Sequence, residues 1–188
     1  MPLSAEVLNE IHILVRGGFE ERDEIAAILS EEMYEPGELN EAEVLAAAVN
    51  AAFAELDKEK SDWPPITDCD RLNQAFAVLN ERGIIALQNA GYTQSDGYDD
   101  VRQEYVDHPR REEVIGYCFY HGQDLERVVS GAGLYLAFGP IDPRHEEEKS
   151  PLIGAIIVQE LAQAGLRAEW DGTFDQRISI PVFDWKRR

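Results

Sequence analysis

Residues Gly83 to Asp100 read GIIALQNAGYTQSDGYDD. Ile84 to Gln88 is a short apolar run bounded by turn residues, and such a run reads as a buried strand. The polar stretch from Asn89 to Gly97 predicts a loop, and a helix is expected to begin near Asp99 or Asp100. The same alternation continues on either side. Before the run, Thr67 and Asp70 can cap a helix with Leu72, Ala75, Phe76 and Leu79 inward, and Gly83 closes it. After it, Val114 to Tyr120 and Leu134 to Phe138 read as strands separated by a short helix over Asp124 to Val129. Ser150-Pro151 predicts the start of a helix that carries Ile153, Ile156, Ile157, Leu161 and Ala164 on one side. Arg167 to Trp170 and Arg177 to Phe183 are expected to pair as a hairpin through Asp171-Gly172. Repeated helix–strand alternation indicates an α/β fold with a mixed sheet of about five strands and packed helices. An α+β arrangement of the ferredoxin-like kind is the alternative.

Upstream of Trp63-Pro64-Pro65, which interrupts regular structure, the periodicity is helical. Val7, Leu8, Ile11, Leu14 and Val15 share one face, ended by Gly17-Gly18. Ile25, Ile28, Leu29 and Met33 form a second set, broken by Pro36-Gly37. Val44, Leu45, Ala48, Val49, Ala52, Phe53 and Leu56 trace a third stripe, with Asn40 and Glu43 as its start. The expected organisation is an acidic three-helix region over residues 1–62, where 14 Asp and Glu against 3 Lys and Arg between Glu20 and Asp62 concentrate the negative charge, followed by an α/β domain over 66–188.

Charge narrows the partners. Seventeen Lys and Arg face 37 Asp and Glu, a formal net charge of -20. A field of that sign repels phosphate, so nucleic acid and anionic membranes are not expected partners, whereas a basic protein is. Three short helices invite a helix-turn-helix reading, but between Glu20 and Asp62 the only cations are Arg22, Lys58 and Lys60, too few to hold a DNA backbone. No run approaches the roughly 18 apolar residues of a membrane span, and residues 1–6 lack the basic and apolar parts of a secretory leader, so a cytoplasmic location is expected. Cys69 and Cys118 make no disulfide framework and no CxxC pair. The terminal Lys186-Arg187-Arg188 reads as a solvated tail, and the aromatics at Tyr117, Phe119 and Tyr120 and at Trp170, Phe174, Phe183 and Trp185 read mostly as core, with a surface for a partner or a homodimer as the other use of them.

The segments GIIALQNAGYTQSDGYDD, GYCFYHGQDLERV (Gly116 to Val128), GLYLAFG (Gly133 to Gly139) and AEWDGTFDQRI (Ala168 to Ile178) resemble an uncharacterised bacterial family catalogued as a domain of unknown function. The resemblance extends over most of the chain, from the Gly18-Phe19 region to the closing Asp184-Trp185-Lys186-Arg187-Arg188, and it implies no activity, cofactor or catalytic residue.

Candidate chemistry therefore has to come from the residues themselves. If the strands run parallel, their C-terminal ends gather Asn89, Tyr92 and Asp96 with His121, Gln123 and Asp124, and after the third strand Asp142 and Arg144. His121 would be the general acid or base, oriented by Asp124 or Asp96. The competing reading makes Ser95, Asp96, Asp99, Asp100 and Asp124 ordinary turn and capping residues. The acids of this loop lack the calcium-loop spacing, and no His pair stands at i, i+4, so neither a metal nor a cofactor is expected. Cys118 and His121 fall on opposite faces of a strand, and Cys69, though in a helix's first turn, has no evident base. Two readings of function follow: a binding or regulatory protein that engages a basic protein through an acidic surface, or a small enzyme or ligand-binding protein using Tyr92, Asp96, His121 and Asp124.

Overall fold

The computed structural model describes residues 3–33 and 42–188. The chain folds as two compact units, one of residues 1–65 with 186–188 and one of residues 66–185.

In the first unit Ser4 opens α1 (Ala5–Gly17) by accepting the Val7 N–H at 3.2 Å, and Gly18 closes it in the left-handed region at φ 74°, where glycine has no Cβ penalty. The second expected helix is a short α2 (Arg22–Ala27) running into a π turn (Ile28–Met33). Ser30 Oγ donates to the Ala26 carbonyl at 2.8 Å, a side-chain competition for the i−4 acceptor that bends helices. The third helix is α3 (Ala42–Lys60). The breaker Pro36-Gly37 and the Asn40 cap lie outside the described residues. Val7, Ile11, Val15, Ile25, Leu29, Leu45, Val49 and Leu56 meet in one core, so each stripe read from the sequence supplies buried residues.

The closing residues are not a free tail. Arg187 sits over the Phe19 ring, 3.9 Å from its centroid, and donates from Nε to the Gly18 carbonyl, while Arg188 lies 5.8 Å from the Trp63 ring centroid. Adding these cations changes the charge map. The first unit carries 16 Asp and Glu against 7 Lys and Arg, and the second 21 against 10. The carboxylate excess thus belongs to both units, and the concentration expected on the N-terminal helices is partly neutralised by the chain's own end.

The second unit is a four-stranded mixed sheet in the order β1 (Ile84–Leu87), β2 (Gly116–Phe119), β3 (Leu134–Pro140), β4 (Ile178–Ile180). β1 and β2 are parallel neighbours; β2–β3 and β3–β4 are antiparallel. Since no strand separates β1 from β2, this is not the split βαβ of a ferredoxin-like fold. The expected fifth strand is reduced to a single bridge between Glu169 and Ser179. Trp170 explains the loss: its ring stands edge-on to Phe138 at 5.5 Å, in space left by Gly154, and its Nε1 donates to the Thr173 carbonyl. Asp171 then accepts from the Thr173 N–H, folding the chain into a turn.

Period-two alternation assigns the two faces. Ile85, Tyr117, Phe119 and Ala137 pack with Val101 of α5 (Gln94–Asp107), and Gly97 lets that helix approach Phe119. On the other face Gly116 makes room for Ile153 of α7 (Glu146–Gln163). α7 is joined to α4 (Asp68–Glu81), whose C-cap Arg82 pairs with Glu160. β1 is an edge strand, and the Asn80 side chain covers it by accepting the Ala86 N–H at 2.9 Å and donating to the Ala86 carbonyl at 3.3 Å, which blunts a bare edge. Among the described residues no helix is long and apolar enough to cross a membrane.

Two helix starts differ from expectation. α5 begins at Gln94, not near Asp99, because Thr93 and Asp96 form a reciprocal capping box. α7 begins at Glu146, with Pro151 inside it; Glu146, Glu147 and Glu148 occupy the positive end of the helix dipole and favour a start ahead of the proline.

Gly83 joins α4 to β1 at φ 78°, and a Cβ there would stand 2.4 Å from the Glu113 carbonyl oxygen, whereas Gly131, at φ 89°, faces open space. Gly131→Ala is expected to cost about 1 kcal/mol for the left-handed backbone alone, and Gly83→Ala about 2–3 kcal/mol with the clash added. Urea unfolding of both variants checks this, and equal costs would contradict it.

Candidate functional site

The loop leaving β1 is fastened to the start of α6 (Gly122–Val129). Asn89 adopts φ 50°. The Ala90 N–H donates to the Tyr120 carbonyl, and the N–H groups of Gly122 and Gln123 donate to the carbonyls of Gly91 and Tyr92. Gly122 is needed here, since a Cβ would lie 2.8 Å from the Tyr92 ring. Parallel β1 and β2 therefore bring Asn89, Tyr92, His121, Gln123 and Asp124 together at one sheet edge. Asp142 and Arg144 are not part of it. They follow β3, which runs the other way, so they lie at the opposite edge, where Arg144 chelates Asp142 and holds that carboxyl well below the usual range.

Asp124 is the centre of the cluster. It is 2% exposed and is the third residue of α6, where its Oδ2 accepts the His121 N–H at 3.3 Å and lies 3.1 Å from His121 Nε2. Both of its oxygens also accept from Arg177, through Nη1 at 3.1 Å and through Nη2. Arg177 Nη2 reaches the Tyr135 carbonyl at 3.0 Å, and the guanidinia of Arg177 and Arg127 lie 5.8 and 5.1 Å from the Tyr135 ring centroid. Among the described residues His121 Nδ1 and Arg177 Nε are buried without a close hydrogen-bond partner, though the Tyr92 backbone is near enough to act on the imidazole. An open cavity of about 350 Å³ lies over Asp124, Arg127, Tyr135 and Arg177.

Burial lowers the pKa of His121, outweighing the raising effect of Asp124. The imidazole is therefore neutral at pH 7. Asp96 is near enough to act on His121 electrostatically, but its carboxylate is exposed and accepts the Thr93 N–H at 2.8 Å, and the Thr93 hydrogen bonds hold it below the ordinary range. Asp99 pairs with Arg102, and Asp100 is exposed on α5. Among the described residues no three metal-ligating side chains converge. Cys118 is fully buried, which pushes its thiol pKa up, and Cys69 is buried in the first turn of α4.

Sequence reasoning missed Arg177 and Tyr135. The one signal for Arg177 was a charged residue directly against the apolar β4. It also missed a second cavity of about 350 Å³ beside α5, lined by Tyr98, Tyr105 and Tyr117 with Glu146, because the late start given to α5 left Tyr98 in a loop.

Removing Arg177 leaves the buried Asp124 charge without its guanidinium. Arg177→Met is expected to destabilise the protein by about 2–3 kcal/mol, and Asp124→Leu combined with Arg177→Met by distinctly less than Arg177→Met alone, as read by denaturant unfolding. His121 adds a pH term. Its folded pKa lies below the unfolded value of about 6.5, so the unfolded state binds the proton first and stability is lost as pH falls below that value. Unfolding measured from pH 7 to 5 should show a shallower loss in His121→Gln; an unchanged slope would show that this imidazole does not titrate against folding.

No curated protein and no solved structure matches the chain. A family model matches residues 2–188, and the chain accordingly belongs to the family described as Domain of unknown function (DUF6891).

Proposed function

We propose that the protein is a binding protein that engages a basic protein partner through the outer face of α5. Asp96, Asp100, Glu104 and Asp107 are exposed and recur at the spacing that places them on one side of a helix. The observation that carries the reading is that, among the described residues, Asp100, Glu104 and Asp107 have no ion-pair partner, Asp96 being held by Thr93. At least ten of the 17 Lys and Arg are already ion-paired with the protein's own carboxylates, among them Arg16 with Glu59, Arg82 with Glu160 and Arg177 with Asp124. The single cation on α5, Arg102, is taken by Asp99. Asp96, Asp100 and Glu104 therefore repel one another at successive i, i+4 steps, which costs the isolated helix about 0.2–0.5 kcal/mol per pair. A basic partner relieves that repulsion, and complementary potentials speed its encounter.

The second reading, an enzyme or ligand site at Tyr92, Asp96, His121 and Asp124, is favoured by one observation, a buried His121 Nδ1 with no close hydrogen-bond partner among the described residues. Against it, His121 is 5% exposed and both Asp124 oxygens are engaged by Arg177.

Charge reversal tests the first reading. Asp100→Lys with Glu104→Lys is expected to reduce capture of a basic partner from source lysate at low ionic strength at least tenfold. It is also expected to raise the protein's own stability by about 0.5 kcal/mol, because the pairs with Asp96 and Asp107 become attractive while positions 100 and 104 stay like-charged. An undiminished set of captured proteins, or none captured by the wild type at low salt, would sink the proposal.

A further inference from the structure

The inner flank of α5 borders a different environment from its outer face. Tyr98, Val101 and Tyr105 of α5 enclose the cavity of about 350 Å³ with Tyr117 of β2, Ile141 after β3, and Glu146 at the start of α7. Its size falls in the range of small-ligand sites, roughly 300–1,000 Å³. The Tyr98 ring stands at 88° to Tyr117 with centroids 5.8 Å apart, so two ring planes meet at a right angle. Tyr105 already attracts a cation, the Arg111 guanidinium 5.9 Å from its centroid. Gly139 permits the arrangement, because a Cβ there would lie 2.6 Å from the Tyr117 hydroxyl oxygen. Arg102 also lines the cavity, but its charge is paired with Asp99 and its side chain is largely in solvent. Burial pushes the Tyr117 phenol's pKa up, with Tyr98 and then Glu146 adding to it; Glu146 is half-buried, and it is in no ion pair among the described residues.

Aromatic faces attract cations through the ring quadrupole, and the attraction grows when the cation is desolvated. A lone carboxylate beside them adds a full charge, while Val101 and Ile141 offer apolar wall to a methylene stem. A compact ammonium fits two rings set at a right angle; a planar guanidinium would stack on one only. We propose that this cavity takes the side-chain ammonium of a lysine on the basic partner. This rests on the reading of α5 as the binding face, and it makes one lysine of the partner an anchor beside a surface of general charge attraction.

The probe is a terminally blocked pentapeptide with a single central lysine, titrated into the 15N-labelled full chain, with the Nε-acetyl-lysine peptide as its uncharged counterpart. Expected are saturable shifts at Tyr98, Tyr105 and Tyr117, with affinity at least tenfold weaker for the acetylated peptide and for Glu146→Gln, whose amide spectrum should match the wild type away from the start of α7. Equal binding of both peptides, or no effect of Glu146→Gln, overturns the proposal. Shifts confined to the outer face of α5 overturn the cavity alone and leave the acidic-face reading standing. Cavity shifts in a protein whose capture of partners survives Asp100→Lys with Glu104→Lys would support the cavity and remove the acidic face.

Discussion

The arrangement of the second unit depends on one buried carboxylate. Asp124 accepts the N–H of its own helix's N-cap, holds His121, and receives both arms of Arg177, which in turn bonds to the β3 backbone at Tyr135. The end of β2, helix α6, the beginning of β3 and the approach to β4 therefore meet at one charge. A buried ion pair of this kind adds little net stability over an apolar core, but losing one partner is costly, and that asymmetry fixes where β4 docks. The same burial leaves both Asp124 oxygens engaged by Arg177 and one of them beside His121.

Much of the fold could be read from the sequence because it follows from periodicity and punctuation. The three helical stripes of the first unit and the strands at Ile84, Gly116 and Leu134 each have a clean apolar pattern between breakers. The departures are local chemistry. Thr93-Gln94-Ser95-Asp96 is the same kind of capping pattern as Thr67-Asp68-Cys69-Asp70, yet Gly97 and the polar run around it mask a helix that uses that glycine to approach Phe119. Trp170 leaves its strand because an aromatic contact and an Asx turn outweigh one more pair of ladder bonds. Pro151 reads as a helix start, and three preceding glutamates place the start five residues earlier. The candidate site was legible in part. Loop proximity brings Tyr92, His121 and Asp124 together, but strand direction, which no local pattern reveals, removes Asp142 and Arg144, and Arg177 comes from 53 residues beyond Asp124.

Asp96 and Asp124 both serve as helix caps. α5 then presents two different flanks. Its outer face is a ladder of carboxylates that repel one another, and its inner flank lines a tyrosine cavity with a carboxylate at one side. Cations elsewhere in the chain are largely paired, and the three at the C-terminus fold back onto the unit that holds the N-terminal helices. Under the proposed function, unsatisfied negative charge has its most ordered expression on α5, and the partner is defined by that order more than by the net charge of -20.

The most direct test is a footprint. Amide hydrogen exchange of the full chain, with and without the captured partner at low ionic strength, should show protection gathered over residues 94–107 and lost on adding salt. Protection centred instead on residues 20–24 and α3, or spread evenly over both units, would contradict the assignment of α5 as the binding face.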